Sequence, residues 1–325
     1  AVEPGSSFLG VSGVPPLGLG LAALGRPGYI NLGHGSDLRD TSVDAMEQRS
    51  HEVLDAAARL GIRYVDAARG YGRAEDFLSS WMKRRGAEGL LVGSKWGYRY
   101  TANWQVDTKG EPHEVKDHSL DHFLRQKAET LELLGSQLRL YQIHSATLAS
   151  GVLEDQAVLD ALAAFKAETD CRLGLSLSGA GQADTLRRAV EVGIFDCVQA
   201  TWNLYEQSVA EALCEARRAG MEVIIKEAMA NGRLLRDERL SAAAEALNAP
   251  KDAVALVACM VQPFQPMVLS GAVTVAQLES NAVALELLQR CREDEAAMQL
   301  LLDLTAQMRT DAAAYWAERS ALAWN

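Results

Sequence analysis

The stretch Tyr64-Val65-Asp66-Ala67-Ala68-Arg69-Gly70-Tyr71-Gly72 carries the pattern on which the fold prediction depends: an apolar run of strand length ends on an ionisable side chain. Val92-Gly93-Ser94-Lys95 and Leu140-Tyr141-Gln142-Ile143-His144 repeat this pattern later in the chain. In a parallel α/β barrel the carboxyl ends of the strands meet at one mouth. Four ionisable side chains are therefore expected to converge in a single site: Asp66, Tyr71, Lys95 and His144.

The chemistry expected of this set is proton transfer. An ammonium beside a phenol favours the phenolate, so Lys95 is expected to lower the pKa of Tyr71, while Asp66 keeps the lysine charged and oriented. The phenol would then give a proton to a carbonyl oxygen near neutral pH. Taken alone, an aspartate at this position more often caps a turn and a lone histidine more often lies in a core. Their common register favours a catalytic role.

The rest of the chain alternates apolar runs of strand length with amphipathic helical stretches, which is typical of a parallel sheet. The spacing predicts one α/β domain over residues 1–325, a (β/α)8 TIM barrel with a long loop after its third strand and an extra C-terminal helix. That loop is Trp96 to His118, interpreted as a lid or binding loop, and the extra helix is Glu293 to Trp316. The predicted strands are Leu17 to Leu19, Ile62 to Asp66, Leu90 to Ser94, Leu138 to Ile143, Arg172 to Leu177, Cys197 to Ala200, Glu222 to Ile225 and Met267 to Leu269. The predicted helices are Val43 to Leu60, Ala74 to Arg84, Leu120 to Leu134, Gln156 to Glu168 and Ser208 to Ala219.

The segment from Asp66 to Glu75 resembles the aspartate-to-tyrosine segment of the aldo-keto reductases. Gly93-Ser94-Lys95 and Tyr141-Gln142-Ile143-His144 are similar to the family's lysine and histidine strands. The resemblance in order and spacing runs from Leu17 to Asn281. It implies an oxidoreductase that reduces an aldehyde or ketone, or oxidises the alcohol or lactol, by hydride transfer from a nicotinamide cofactor. Tyr71 would be the general acid/base and His144 would orient the carbonyl.

The resemblance also implies where the cofactor lies. The nicotinamide end would contact strand-end residues, the pyrophosphate would lie under the Asn231-Gly232-Arg233 loop with Arg233 or Arg236 supplying charge, and the adenosine would lie against the last loop. The implied residues are Ser176, Gln199, Lys226, Gly232, Arg233, Gly271, Gln277 and Asn281.

Three positions depart from the family. Leu177 replaces a common asparagine, and Lys226 replaces an aromatic residue that usually stacks on the nicotinamide. Lys226 would cover the ring with its stem, pair with Glu227 or reach a substrate carboxylate. No lysine or arginine occurs between Val268 and Asn281, where a ribose 2′-phosphate is often bound. NADPH is expected from family habit, with NADH not excluded.

Aromatic residues near strand ends predict a pocket for an apolar or ring-bearing carbonyl compound. The candidates are Tyr29, Trp96, Tyr98, Trp104 and Trp202. The identity of the substrate and the direction of the reaction stay open.

Composition narrows the class of partner. The net charge of −11 and the scattered basic residues argue against nucleic acid and anionic membranes as partners. The resemblance implies a small-molecule carbonyl or alcohol substrate. The five cysteines have no metal-binding spacing, so no metal is expected. Without an export signal in Ala1 to Gly5 or an apolar run of transmembrane length, a soluble, cytoplasmic protein is expected. The oligomeric state stays open.

Two other functions remain alternatives. One is a nicotinamide-binding sensor or regulatory subunit with little turnover. The other is a lyase or isomerase that uses Lys95 as a Schiff base.

Overall fold

Eight parallel strands close into a barrel in the computed structural model, which describes residues 7–325. The barrel order is β3-β4-β5-β8-β9-β10-β11-β12, and β12 pairs with β3 to close it. The amino-terminal stretch for which no export signal is predicted lies outside the described residues. The strands are β1 (Ser7–Phe8), β2 (Val11–Ser12), β3 (Leu17–Gly20), β4 (Tyr64–Asp66), β5 (Leu91–Trp96), β6 (Tyr98–Tyr100), β7 (Glu114–Lys116), β8 (Leu138–Ala146), β9 (Arg172–Leu177), β10 (Cys197–Thr201), β11 (Glu222–Lys226) and β12 (Met267–Ser270).

All eight predicted barrel strands are present, with ends within three residues of the prediction. Helices fill the connections between them and bury their apolar faces against the strands. No helix in the described part of the chain is long and apolar enough to cross a membrane. The helices are α1 (His34–Leu38), α2 (Val43–Arg59), α3 (Ala74–Arg85), α4 (Leu120–Leu134), α5 (Gln156–Glu168), α6 (Gln182–Val192), α7 (Ala210–Arg218), α8 (Glu238–Ala246), α9 (Lys251–Met260), α10 (Val275–Glu293), α11 (Glu295–Met308) and α12 (Ala312–Ser320).

Two predictions need correction. The segment after the third barrel strand is not only a loop, because β6 and β7 pair in it as an antiparallel ribbon. The C-terminal extension is two helices rather than one, since Asp311 begins a new helix by accepting a hydrogen bond from Ala314 N at 2.9 Å. After α12 the chain returns to the barrel mouth, where Asn325 exchanges backbone hydrogen bonds with Tyr29.

The amino end of the barrel is closed by apolar packing. Phe8, on the β1-β2 hairpin, packs edge-on against Tyr64 inside the barrel, with ring centroids 4.9 Å apart. The Tyr64 ring fills the interior because its neighbours are glycines: a Cβ at Gly93 would lie 2.2 Å from Tyr64 Oη, and one at Gly18 2.9 Å from Tyr64 Cδ1. Access to the barrel interior is therefore from the carboxyl end of the strands.

We predict that Gly93→Ala destabilises the barrel, because the added methyl group overlaps the Tyr64 hydroxyl and the packed interior has to shift. Overpacking of this kind costs about 1–3 kcal/mol. Urea denaturation should show that fall in the free energy of unfolding. In a Tyr64→Phe background, which lacks the overlapping oxygen, the same Gly93→Ala change should lower the free energy of unfolding by less. A Gly93→Ala variant with the same free energy of unfolding as the wild type would contradict this account of the barrel interior.

Candidate active site

Lys95 and Asp66 form a buried ion pair at the carboxyl end of the barrel. Lys95 lies near the end of β5, Asp66 ends the adjacent β4, and both side chains are almost fully buried. Lys95 Nζ donates to Asp66 Oδ2, to the Ala67 carbonyl at 3.0 Å and to Tyr71 Oη at 3.1 Å. These contacts use all three protons of the ammonium group, so its orientation is fixed.

The second oxygen of Asp66 is held by a polar layer across the barrel. Asp66 Oδ1 accepts from Tyr64 Oη at 2.9 Å, Gln142 Nε2 at 3.1 Å and Gln199 Nε2 at 3.0 Å. Gln199 Nε2 also lies 3.2 Å from Gln142 Oε1. Burial lowers the pKa of Lys95, and the neighbouring Asp66 carboxylate opposes that shift.

Tyr71 is positioned by close backbone packing. Gly72 has φ +59°, and a Cβ there would lie 2.4 Å from Gly25 O, while a Cβ at Gly25 would lie 2.3 Å from Tyr71 O. Only glycine fits either position. The hydroxyl oxygen of Tyr71 accepts from Lys95, so its own proton is free to be donated into the adjacent cavity.

Glu75 fixes the Tyr71 loop from behind. It is 1% exposed, pairs with Arg69 at 2.9 Å and accepts from Ser94 Oγ at 2.6 Å, on the strand that carries Lys95. Arg69 N also donates to Lys95 O at 3.0 Å. Glu75 therefore ties the loop to β5 without facing the cavity.

The expectation that Lys95 lowers the pKa of Tyr71 is wrong for this structure. Burial, with the negative charge of Asp66 as the next cause, raises the pKa of the Tyr71 phenol well above its ordinary value. The Asp66 carboxylate opposes the effect of the Lys95 ammonium group on the pKa of Tyr71, because it lies beside the same lysine. Tyr71 is therefore a protonated donor throughout the neutral range.

His144 lies between two tyrosine rings. Its ring centroid is 5.2 Å from that of Tyr71 and 4.8 Å from that of Tyr98, both edge-on. Its Nδ1 is buried without a hydrogen-bond partner in the described residues. Burial, and then the nearby charge of Lys95, lower the pKa of His144 well below its ordinary value. The ring is thus neutral and carries one N–H donor.

The backbone beside His144 is strained. Ser145 has φ +52°, a conformation that non-glycine residues seldom adopt, and it lies at an irregularity in the pairing of β8 with β9. Ser145 N donates to Ser176 Oγ at 2.8 Å, and Lys116 Nζ donates to Ser145 O at 2.9 Å. Ser176 thus helps to hold His144 in position.

A cavity of about 790 Å³ begins at these residues and extends to the loop after β12. Lys95 lies directly behind it, in contact with Tyr71. The predicted site residues that line it are Asp66, Tyr71 and His144; Gln199, Lys226, Gly232, Gly271, Gln277 and Asn281; and Tyr29 and Tyr98.

Three predicted pocket residues lie elsewhere. Trp96 is fully buried against Phe123, and Trp202 is buried against Phe264. The Trp104 ring lies edge-on to Phe77, and its Nε1 donates to Thr41 O at 2.8 Å. Trp96 follows Lys95 directly on β5, and neighbouring strand side chains face opposite ways, so it packs towards the helices. These indoles are corrected to packing residues.

Two predicted cofactor residues also lie outside the cavity wall. Ser176 is 1% exposed and accepts from Ser145 N. Arg233 pairs with Glu318 at 2.9 Å and covers the Tyr315 ring, and Arg236 is exposed elsewhere. Arg233 is therefore engaged by α12 in this structure.

The cavity wall includes residues that the sequence did not single out. Arg26 is 2% exposed, pairs with Glu114 at 2.7 Å, and lies 4.8 Å from the ring centroid of Trp324. Arg319 also lines the cavity and donates from Nε to Glu227 Oε2 at 2.9 Å. Arg26 and Glu114 are far apart in sequence, and no local pattern marks them as a pair.

The cavity fits a nicotinamide dinucleotide. Its volume lies within the roughly 300–1,000 Å³ typical of ligand sites. Asn231 Oδ1 is a buried acceptor without a partner in the described residues, and a Cβ at Gly271 would meet open space. Within residues 7–325 the Gln199 side chain uses only its amide nitrogen, so its oxygen is available to a carboxamide.

Comparison with known proteins agrees with the barrel. A model of the Aldo/keto reductase family matches residues 16–301. The aldo-keto reductase str7 of Strobilurus tenacellus is 26% identical over 223 residues, which are 66% of this chain and 57% of that protein. The chain thus matches little more than half the length of this curated relative.

Two solved structures share the fold. An aldo-keto reductase from Bacillus halodurans in its holo form is 19% identical with a TM-score of 0.67, over 90% of this chain and 92% of that one. An aldo/keto reductase from Klebsiella pneumoniae, in complex with NADP and acetate, is 18% identical with a TM-score of 0.62, over 84% and 86%. At these identities the likeness concerns the fold alone.

We predict that the His144 ring stays neutral at pH 5.5, because burial and nearby cations oppose its protonation. Ring ¹⁵N chemical shifts followed from pH 8 to pH 5 should show no titration for His144, whose signals are assigned with a His144→Gln variant. His34 and His118, whose burial lowers their pKa to about 4, should behave similarly. A His144 midpoint near 6.5 would show that water reaches the ring freely.

Proposed function

The chain belongs to the aldo/keto reductase family, and from this we propose that it reduces an aldehyde or ketone by hydride transfer from a nicotinamide cofactor, or oxidises the corresponding alcohol or lactol. The observation that carries the proposal is the 3.1 Å hydrogen bond from Lys95 Nζ to Tyr71 Oη. It leaves the phenol proton facing the cavity, beside a neutral histidine.

In this proposal Tyr71 and His144 bind the carbonyl oxygen together. His144 donates its N–H to that oxygen and fixes its direction, and Tyr71 donates its proton as negative charge develops there. A nicotinamide cofactor, when bound, would supply the hydride for the carbonyl carbon. Lys95 then stabilises the Tyr71 phenolate through its existing hydrogen bond, and Asp66 keeps Lys95 charged.

The raised pKa of Tyr71 favours reduction over oxidation near neutral pH. An alkoxide is a far stronger base than a phenolate, so it still takes the proton from a buried phenol. Oxidation would instead need Tyr71 to begin as the phenolate, which burial and Asp66 disfavour. Higher pH should therefore favour the oxidative direction.

The proposed cofactor is NADPH, with a modest preference over NADH. The Klebsiella pneumoniae structure contains NADP. Gln277 and Asn281 line the far end of the cavity, where the adenosine would lie, but each amide donates to a carboxylate: Gln277 to Asp37 at 3.0 Å and Asn281 to Asp252 at 2.6 Å. Those carboxylates weaken the attraction for a 2′-phosphate. Gln199 would hold the carboxamide of the nicotinamide, and Gly232 would lie by the pyrophosphate.

The surroundings of Lys95 favour this function over a Schiff-base lyase or isomerase. A Schiff base needs a neutral, accessible amine, whereas Lys95 is fully buried and donates to three acceptors. The complete Asp66, Lys95, Tyr71 and His144 set also favours an enzyme over a sensor with little turnover.

We predict that Tyr71→Phe lowers carbonyl reduction by about 10²–10⁴-fold, because the hydroxyl is needed as the general acid. Cofactor affinity, measured by fluorescence titration, should stay close to that of the wild type, since the ring and its packing remain. The measurement is the single-turnover rate of cofactor oxidation on a panel of aldehydes and ketones.

Tyr98→Phe is the matched control, because it removes a phenol that lies against the other side of His144 without touching Lys95. It should keep a much larger share of the rate. Full activity of Tyr71→Phe on every carbonyl that the wild type reduces would mean that the proton comes from another group.

We further predict that Gln277→Arg gains affinity for NADPH and not for NADH, because it supplies the cation that residues 268–281 lack. A charge-assisted contact of about 1.5–3 kcal/mol corresponds to about ten- to a hundred-fold. Dissociation constants for both cofactors test this, with uncharged Gln277→Met as the control. If the wild type prefers NADPH by several thousand-fold and Gln277→Arg changes nothing, the 2′-phosphate lies elsewhere.

A further inference from the structure

Lys226 is a cation of the cavity wall without a counter-charge in contact. It ends β11 and lines the cavity that also contains Asp66, Tyr71 and His144, and its ammonium group forms no hydrogen bond or ion pair within residues 7–325. Its neighbour Glu227, the partner expected from the sequence, is bound by Arg319 instead. The ammonium group of Lys226 is therefore available to a ligand.

The other lysine and arginine side chains that line the cavity, Arg26, Lys251 and Arg319, each have a partner in the described residues. Arg26 pairs with Glu114 at 2.7 Å, and Lys95 pairs with Asp66. Lys251 lines the same cavity and donates from Nζ to the Leu235 carbonyl at 2.6 Å. The pairing of these groups leaves the positive charge of Lys226 uncompensated close to the reacting groups.

The backbone holds Lys226 in this place. Glu227 has φ +56°, so the chain turns sharply immediately after Lys226. The turn is fixed by Asn203 Nδ2, which donates to Glu227 O at 2.9 Å, and by the two-pronged contact of Arg319 with the Glu227 carboxylate. On the other side, Lys226 pairs in register with Thr201 of β10. The position of Lys226 is thus set by the fold rather than by a flexible loop.

We propose that Lys226 binds a carboxylate of the substrate, so that the protein acts on carbonyl compounds that carry a carboxylate group. The proposal rests on the proposed function, since it names the substrate class of the same site. An unpaired ammonium at a cavity wall gains a charge-assisted hydrogen bond when a carboxylate enters. Tyr29, Tyr98 and Trp324 in the same wall cover the apolar part of such a molecule.

The charge of Lys226 depends on pH in a useful range. Burial lowers the pKa of Lys226 to about 8, with Glu227 opposing this shift and Arg319 adding to it. A lysine with a lowered pKa is charged below pH 8 and loses its proton as the pH rises through that value. The affinity for a carboxylate should therefore fall as the pH rises through the same value. The charged and titratable groups that face Lys226 are Asp66, Lys95, His144, Glu227 and Arg319.

The test is calorimetric titration with benzoate, which cannot be reduced, and with benzamide as its neutral counterpart. At pH 6.5 the wild type should bind benzoate about ten- to a hundred-fold more tightly than benzamide, and Lys226→Met should lose this difference. Lys251→Met is the matched control, because it removes a lysine of the same cavity that already has a partner, and it should keep the difference.

Raising the pH separates charge from shape. At pH 9.5 the wild type should lose most of its preference for benzoate, whereas Lys226→Arg, whose guanidinium stays charged, should keep it. Equal affinities for benzoate and benzamide in the wild type, or an unchanged preference in Lys226→Met, would overturn the proposal. Displacement of benzoate by NADP⁺ would also overturn it, because Lys226 would then serve the cofactor.

Turnover distinguishes this proposal from the proposed function. The wild type should reduce 4-carboxybenzaldehyde with a lower KM than methyl 4-formylbenzoate. Lys226→Met should raise the KM for 4-carboxybenzaldehyde but not that for the methyl ester, with little change in kcat. Reduction of neither aldehyde nor any panel compound would count against the proposed function, while the benzoate titration would still decide the role of Lys226. Equal KM values for the two aldehydes in the wild type would overturn the substrate class alone.

Discussion

The Lys95–Asp66 ion pair is the interaction on which the rest of the site depends. Transfer of either charge from water to the barrel interior costs several kcal/mol, and further hydrogen bonds to both groups offset this cost. Ala67 O and Tyr71 Oη accept hydrogen bonds from the Lys95 ammonium group. Three side chains, from β4, β8 and β10, donate hydrogen bonds to the Asp66 carboxylate. Because those donors come from separate strands, the barrel must be closed before the pair is satisfied. The geometry of the candidate site therefore forms only when the barrel folds.

Backbone strain at the barrel mouth is likewise stabilised by neighbouring polar contacts. The residues immediately after His144 and Lys226, which are Ser145 and Glu227, both have positive φ. Such conformations cost on the order of 1–3 kcal/mol each and persist only where neighbours hold them. Ser176 and Lys116 hold Ser145, while Asn203 and Arg319 hold Glu227. The polar contacts around the mouth thus fix the directions in which its working side chains face.

The sequence predicted the barrel and the convergence of four side chains because both depend on short apolar runs with an ionisable end, which is a local pattern. It failed for Trp96, Trp104 and Trp202, since aromatic composition carries no direction. For Trp96 the alternation of side chains along a strand already contained the answer, because Lys95 faces inwards. Arg26 and Trp324 were missed for a different reason. Their contacts join the first loop to the last residues of the chain, and a single sequence does not show such distant pairs.

The pKa of Tyr71 illustrates the remaining gap between sequence and chemistry. Proximity to a lysine can be expected from a motif, but desolvation depends on the whole closed mouth and reverses the expected shift. The consequence is a site whose two proposed donors, the Tyr71 phenol and the His144 ring, are both neutral and protonated before any substrate enters. A carbonyl oxygen gains negative charge only during reduction, so these donors bind it more strongly in the transition state than in the ground state. Reduction and oxidation would pass through this same transition state, so the donors stabilise it in both directions. The directions differ in the form of Tyr71 with which each begins, and burial favours the phenol that reduction needs.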